Sequence, residues 1–198
     1  MTHNADPRDQ AKRLHEADID AATKAAKHRR HPLVQIAGTL SEIADQPQLA
    51  AVCGLTLAAG LARGDRRLAR TGIRMLLAHA LATAGKTWVK DSVVRTRPFV
   101  LLDEGRYEVR RGKGKGSEEA SFPSGHTAGA VAVACAVVRE YPVLGVPAFG
   151  AAAAIAAIQV PRAKHYPADL AAGLLVGLAA GAVANLGVSM ALAAVSGE

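Results

Sequence analysis

The stretch Leu170–Gly197, LAAGLLVGLAAGAVANLGVSMALAAVSG, decides the architecture. It runs 28 residues without a charge, and a bilayer core takes roughly 20 apolar residues of helix. A helix this long and this uncharged is hard to bury all round in a chain of 198 residues, because a small domain has little interior. Working outward, Pro142–Pro161 is a second uncharged run, of 20 residues. Three shorter segments precede it: Leu49–Ala62 and Thr127–Val138, both uncharged, and Gly72–Val89, interrupted only by Arg74, His79 and Lys86. The first two runs qualify as spans by length, and the other three need help from flanking residues that snorkel. The expectation is an all-α integral membrane bundle of about five transmembrane helices. Gly173, Gly177 and Gly181 form a small-xxx-small stripe that lets another helix approach closely. Packing inside the chain is the expected use, and a homo-oligomer seam the alternative.

Composition excludes several other classes. Half of the residues are hydrophobic, too many for a disordered chain. Cys53 and Cys135 both sit in apolar runs and read as small core residues, not as a disulfide framework. The net charge of +7 invites a nucleic-acid reading. A mean hydropathy of +0.14 and the lack of interleaved basic and aromatic residues oppose it. The two signals together suggest that apolar residues and charges are segregated, with no nucleic-acid partner.

Residues 1–30 form a polar segment with Lys24, Lys27, Arg29 and Arg30 clustered and no apolar stretch of the signal-peptide kind. Ile19–Ala26 is rich in Ala and helix-prone. His31–Asp45 places Leu33, Ile36, Ala37, Leu40 and Ile43 at helical spacing, with Ser41, Glu42 and Asp45 opposite, as in an amphipathic helix lying on a membrane surface. Residues 31–198 then form the membrane-embedded domain. Arg110–Ser117, RRGKGKGS, reads as a mobile loop. Arg110, Arg111, Lys113 and Lys115 in it either attract anionic head groups or form a solvated face.

Three polar clusters adjoin the apolar segments: Lys90 to Arg97-Pro98, Ser121 to His126, and Pro161 to Asp169. If five helices cross alternately, all three clusters reach the same membrane face, as a site requires. Their chemistry agrees. Lys90, Arg97 and Arg162 supply cations that match phosphate. Pro123-Ser124-Gly125 precedes a helix and points N–H groups outward. His126 and His165 can transfer protons or attack phosphorus. Asp169 stands four residues after His165, within reach of one imidazole nitrogen if a helix begins there.

Lys-x6-Arg-Pro (Lys90 to Pro98), then Pro-Ser-Gly-His (Pro123 to His126), then Arg-…-His-x3-Asp (Arg162 to Asp169) resembles the type 2 phosphatidic acid phosphatase (PAP2) family, the lipid phosphate phosphatases related to vanadium haloperoxidases. The resemblance covers residues 90–169. The first two motifs match in full and the third departs. The family has Ser-Arg, five residues and then His, whereas Arg162 lies three positions before His165. Either Arg162 reaches the phosphate from a shortened loop, or Gln159 or Lys164 replaces it. The family's membrane members commonly have six spans, so the first is here reduced to the amphipathic segment.

The resemblance implies a mechanism and a partner. His165 is the nucleophile that forms a phosphohistidine, Asp169 orients it, and His126 protonates the leaving oxygen. Lys90, Arg97, Arg162, Ser124 and Gly125 hold the phosphate. No metal and no cofactor are implied, since cationic side chains take the metal's role. The substrate would be a lipid phosphate: phosphatidic acid, phosphatidylglycerol phosphate, or a polyprenyl phosphate or pyrophosphate. The alternative reading is a catalytically degenerate relative that binds or transports such lipids. The expected location is the bacterial inner (plasma) membrane. If His31–Asp45 does not span, 17 Lys and Arg lie on the site's side against 6 opposite, which favours a cytoplasmic site. If it spans, the count is 10 against 13. The family resemblance suggests an extracytoplasmic site, so the orientation stays open.

Overall fold

The computed structural model describes residues 6–197. Its α-helices are α1 (Pro7–Ala26), α2 (Pro32–Ser41), α3 (Gln46–Ala62), α4 (Arg66–Ser92), α5 (Pro98–Glu104), α6 (Gly125–Glu140), α7 (Gly145–Ile158) and α8 (Pro167–Ser196). Their starts are written in the sequence. Asp6, His31, Asp45, Asp65 and Ser124 each accept a backbone N–H at an N-terminus through the side chain, which satisfies donors that the helix itself leaves unpaired. Pro7, Pro32, Pro47, Pro98 and Pro167 stand in first turns, where a missing N–H costs nothing.

Helices α3, α4, α6, α7 and α8 form the bundle, with α4 and α6 both packed on α8, α3 on α4, and α7 on α6. These five correspond to the five apolar segments. One core cluster is built largely of small residues: Cys53, Ala78, Ala82, Ala128, Ala132, Ala136 and Ala184 are all buried. Small side chains bring the helix backbones close, and the glycine stripe shows how close. A Cβ on Gly173 would lie 2.6 Å from the Ser124 carbonyl oxygen, and one on Gly177 2.6 Å from that of Ala128. A Cβ on Gly181 would meet Cys135. The stripe is thus filled by α6 of the same chain.

Only α8 is both long and apolar enough to cross a membrane on length and composition alone, among the described residues. Only 33% of its apolar window is buried. Leu175, Val183, Leu186 and Met190 face outward from it, so it is not the enclosed core helix of a water-soluble domain. The 20-residue run from Pro142 is not one helix. A 3-10 turn at Pro142–Leu144 leads into α7, which ends at Ile158 because Gln159–Tyr166 turn away as a loop. Helix α4 has the length to cross but carries charge. Its buried Arg74 is neutralised by Glu140 at 2.9 Å and donates to the Asn185 carbonyl at 2.7 Å and to Ser189 at 3.2 Å.

The polar segments are more ordered than their composition suggests. The amphipathic segment is α2 followed by a 3-10 turn at Glu42–Ala44. Leu33, Ile36, Leu40 and Ile43 are exposed as a stripe, while Ser41 is buried against the bundle. The first two residues of the basic loop join strand β2 (Val109–Arg111), paired antiparallel with β1 (Val93–Arg95) so that Val94 faces Arg110, while residues 112–116 stay irregular. Helix α1 begins at Pro7, earlier than the Ala-rich stretch, and Asp18 on it pairs with Arg95 at 2.6 Å.

Because the Ala128 carbonyl occupies the space beside Gly177, Gly177→Val forces α6 and α8 apart at a cost of about 2 kcal/mol. The expected result is a lower unfolding midpoint in detergent micelles. An unchanged midpoint would show that the stripe does not carry the packing.

Candidate active site

Helices α6 and α8 begin side by side, since the Ser124 N–H donates to the Asp169 carbonyl at 2.9 Å. Two helix N-termini therefore point their positive ends at one place. The loop Gln159–Tyr166 and the hairpin β1–β2 border that place, and the 3-10 turn after α2 closes it.

Asp169 is fully buried, and its oxygens are allocated. Oδ1 accepts from Arg95 Nη1 at 2.7 Å. Oδ2 accepts from Ser121 Oγ at 2.5 Å and from the Tyr166 N–H at 2.9 Å. His165 Nδ1 lies 3.6 Å from the same Oδ2, just outside hydrogen-bond distance, and has no hydrogen-bond partner. Burial pushes the imidazole of His165 down to about 4, against the pull of the Asp169 carboxylate and helped by the charges of Arg97 and Lys90. His165 is therefore neutral at physiological pH. With Nδ1 turned to Asp169, the lone pair of Nε2 is free in the matching tautomer.

Lys90 reaches this place from the last turn of α4 and Arg97 from the residue that caps α5. Lys90 Nζ donates to the Ala120 carbonyl, and Arg97 Nε donates to the Ser117 carbonyl at 2.8 Å. Both cations act electrostatically on His165 and on Asp169. Ser124 is fully buried, and its hydroxyl is engaged with Thr127, taking the Thr127 Oγ1 hydrogen bond at 3.0 Å. Its part is the cap that starts α6, while Gly125, half-buried, is the first residue of that helix.

The third motif is explained by a residue that the sequence reading placed only on a polar helix face. Glu42 Oε1 accepts from Arg162 Nη2 at 2.6 Å and from Lys164 Nζ at 2.9 Å. Glu42 Oε2 stands 3.3 Å from His126 Nε2. Between the two cations, Ala163 adopts φ +57°, and its carbonyl accepts from the Phe99 N–H at 3.0 Å. A non-glycine residue in this left-handed region is held there by its surroundings. The turn lets Arg162 and Lys164 converge on one carboxylate although the motif is three residues short. Gln159, fully buried, donates to the Ser41 hydroxyl at 3.1 Å, as Arg162 Nη1 also does at 3.1 Å, and to the Ile155 carbonyl at 3.0 Å.

The structure thus draws His165, Asp169, Lys90 and Arg97 together, and it ties His126 and Arg162 through Glu42. Arg95, Ser121, Asp18 and Glu42 are contributors that the motifs did not single out. Arg95 and Ser121 lie inside quoted clusters, so only their partners were hidden. Asp18 and Glu42 gave no signal beyond being acidic residues on polar helical segments. Thr127, Val131, Phe149, Ala156, Leu170 and Leu174 help to line an apolar groove of about 490 Å³ between α6, α7 and α8.

Burial opposes ionisation of Glu42, but Lys164 and Arg162 outweigh it and hold the carboxyl at about 2, against an ordinary 4.5. A depressed carboxyl stabilises the fold above its unfolded pKa, and the gain fades as pH falls through the folded value. Glu42→Gln should therefore lower the unfolding midpoint most above pH 4.5, with the deficit shrinking toward pH 2. A deficit that does not vary with pH would contradict the pairing.

The PAP2 superfamily model matches residues 71–192. The chain also resembles the crystal structure of the first transmembrane PAP2-type phosphatidylglycerolphosphate phosphatase from Bacillus subtilis. The TM-score is 0.64 at 19% identity, over 86% of this chain and 84% of that one. It resembles Aquifex aeolicus LpxE as well, with a TM-score of 0.57 at 20% identity, over 83% of this chain and 92% of that one. These likenesses are of fold. No curated protein sequence matches the chain significantly.

Proposed function

The chain belongs to the PAP2 superfamily, and on that premise we propose that it is a membrane phosphatase that removes phosphate from a lipid phosphate without a metal ion. One observation carries the reading: His165, neutral and buried against Asp169, stands among cations beside two helix N-termini, and an apolar groove includes Thr127 and Leu170, next in the chain to His126 and Asp169. A phosphate head fits the first part and a hydrocarbon tail the second. The family model and the two phosphatase folds support the same reading.

The chemistry follows from the placement. His165 Nε2 attacks phosphorus, forming a P–N bond as the P–O bond to the lipid breaks. Asp169 stabilises the imidazolium that results, being fixed itself by Arg95 and Ser121. His126 donates a proton to the departing oxygen. Water then cleaves the P–N bond and releases inorganic phosphate, with His126 taking the proton back. Phosphoryl transfer needs mainly positioning and charge neutralisation. Lys90, Arg97, Arg162 and the Gly125 N–H are the phosphate ligands in this reading. Arg162 has a competitor for its charge in Glu42, which substrate must outbid or share. In the membrane, α3, α4, α6, α7 and α8 are the five spans. The short helices α3 and α7 cross with help from flanking residues, and the exposed stripe of α2 lies in the interface. The candidate substrates are phosphatidic acid, phosphatidylglycerol phosphate and polyprenyl phosphates or diphosphates.

Purified protein in detergent with EDTA should release inorganic phosphate from at least one member of that panel. His165→Ala should lose nearly all of this activity, on the order of 10³-fold or more, as expected when a nucleophile is removed. Full activity in that variant would refute the mechanism. Binding of orthovanadate without any turnover would instead favour a lipid-phosphate-binding protein.

A further inference from the structure

Two cations interrupt the apolar segment Gly72–Val89, and the fold treats them differently. Arg74 has a carboxylate, a carbonyl and a hydroxyl around its guanidinium. Lys86 is half-buried and makes no hydrogen bond or ion pair among the described residues. An ammonium on a helix at membrane depth is costly unless something negative meets it. Asp45 is the acid whose charge it feels, but Asp45 lies outside ion-pair distance and accepts the Gln46 N–H as the cap of α3.

The position of Lys86 is specific. It stands one helical turn before Lys90 on the same face of α4, and the two cations repel each other. Its ammonium rests against the start of α6, where a Cβ on Gly125 would lie only 2.9 Å from Nζ. Gly125 therefore leaves room for this side chain at the point where the helix offers its first N–H groups. One turn along α4 sets the Lys86 backbone about 6 Å farther into the bundle than that of Lys90, on the deeper side if α4 spans the bilayer. In a lipid phosphate, the deeper side is the one that leads to the tail.

We propose that Lys86 is a further substrate-binding residue, whose ammonium meets anionic oxygen on the leaving-group side of the scissile phosphate. In a monophosphate this is the ester oxygen as charge develops on it. In a diphosphate it is the phosphate that departs with the lipid. The assignment rests on the lipid phosphatase reading, and it gives the unpaired lysine its counter-charge. Lys90 and Arg97 neutralise the transferred group from above, and Lys86 neutralises what leaves, while His126 supplies the proton.

The test compares Lys86→Met, Lys86→Gln and Lys86→Arg with the wild type in detergent, by orthovanadate inhibition and by thermal unfolding. Loss of the ammonium should weaken orthovanadate at least about tenfold, the scale of a hydrogen bond to a charged group. Lys86→Arg should recover most of that loss. The unfolding midpoint of Lys86→Met should equal or exceed the wild type, because an unpaired cation has been removed from an apolar helix. A folded Lys86→Met as sensitive to orthovanadate as the wild type overturns the assignment. If Lys86→Met does not fold, Lys86→Gln decides: weakened orthovanadate supports the assignment, and wild-type sensitivity overturns it. A wild type that neither releases phosphate nor responds to orthovanadate refutes the phosphatase reading itself. An active, sensitive wild type with equally sensitive variants refutes only the role of Lys86.

Discussion

The fully buried carboxylate of Asp169 is the interaction on which the rest of the site depends. A charge taken out of water must be repaid by hydrogen bonds and an opposite charge. Arg95, Ser121 and the Tyr166 N–H supply them, from β1, the loop before α6 and the start of α8. Arg95 is buried in turn, stacks over the Tyr166 ring at 3.9 Å and pairs with Asp18 on α1. One carboxylate thus sets where the hairpin lies, where α8 begins and how the N-terminal helix docks. It also leaves His165 beside it with a neutral ring and one nitrogen turned inward.

Around that centre the charges are arranged by excess. Lys86, Lys90 and Arg97 form a cationic row along the α4 side. Arg162 and Lys164 face it from the third motif, held for the present by Glu42. Two helix N-termini add partial positive charge of the same sign. Such a place favours an anion with several oxygens, and phosphoryl transfer is accelerated most by fixed charges of this kind. The apolar groove, whose lining includes Thr127 and Leu170 next in the chain to His126 and Asp169, carries the argument from phosphate to lipid phosphate.

Much of this was legible in the residues. The five apolar runs became the five bundle helices, since long uncharged Ala, Leu and Val stretches have few other ways to hide backbone polar groups. The motifs named Lys90, Arg97, His165 and Asp169, whose charges act on one another in the fold, and His126, which meets Glu42 instead. Pro161 marked the end of the fourth run to within a few residues, and α7 stops at Ile158, just ahead of it. The hairpin of Val93–Arg95 with Val109–Arg111 was hidden, because three-residue strands are too short to show alternation. Glu42 was missed because its partners lie 84 to 122 residues away. A lone acid on an amphipathic turn reads as solvated until the fold shows three nitrogens around it. The shortened third motif was visible as a departure, but its remedy, a left-handed Ala163 that lets Arg162 and Lys164 converge, exists only in three dimensions.

The central claim is that His165 takes the phosphoryl group. The most direct measurement is to mix the protein with its lipid phosphate labelled on phosphorus, quench within milliseconds in alkali and locate the label by peptide mass spectrometry. The account expects an alkali-stable, acid-labile phosphate on His165, absent when Asn replaces that histidine. Label on any other residue, or rapid turnover with no phosphorylated protein at any time, would contradict it.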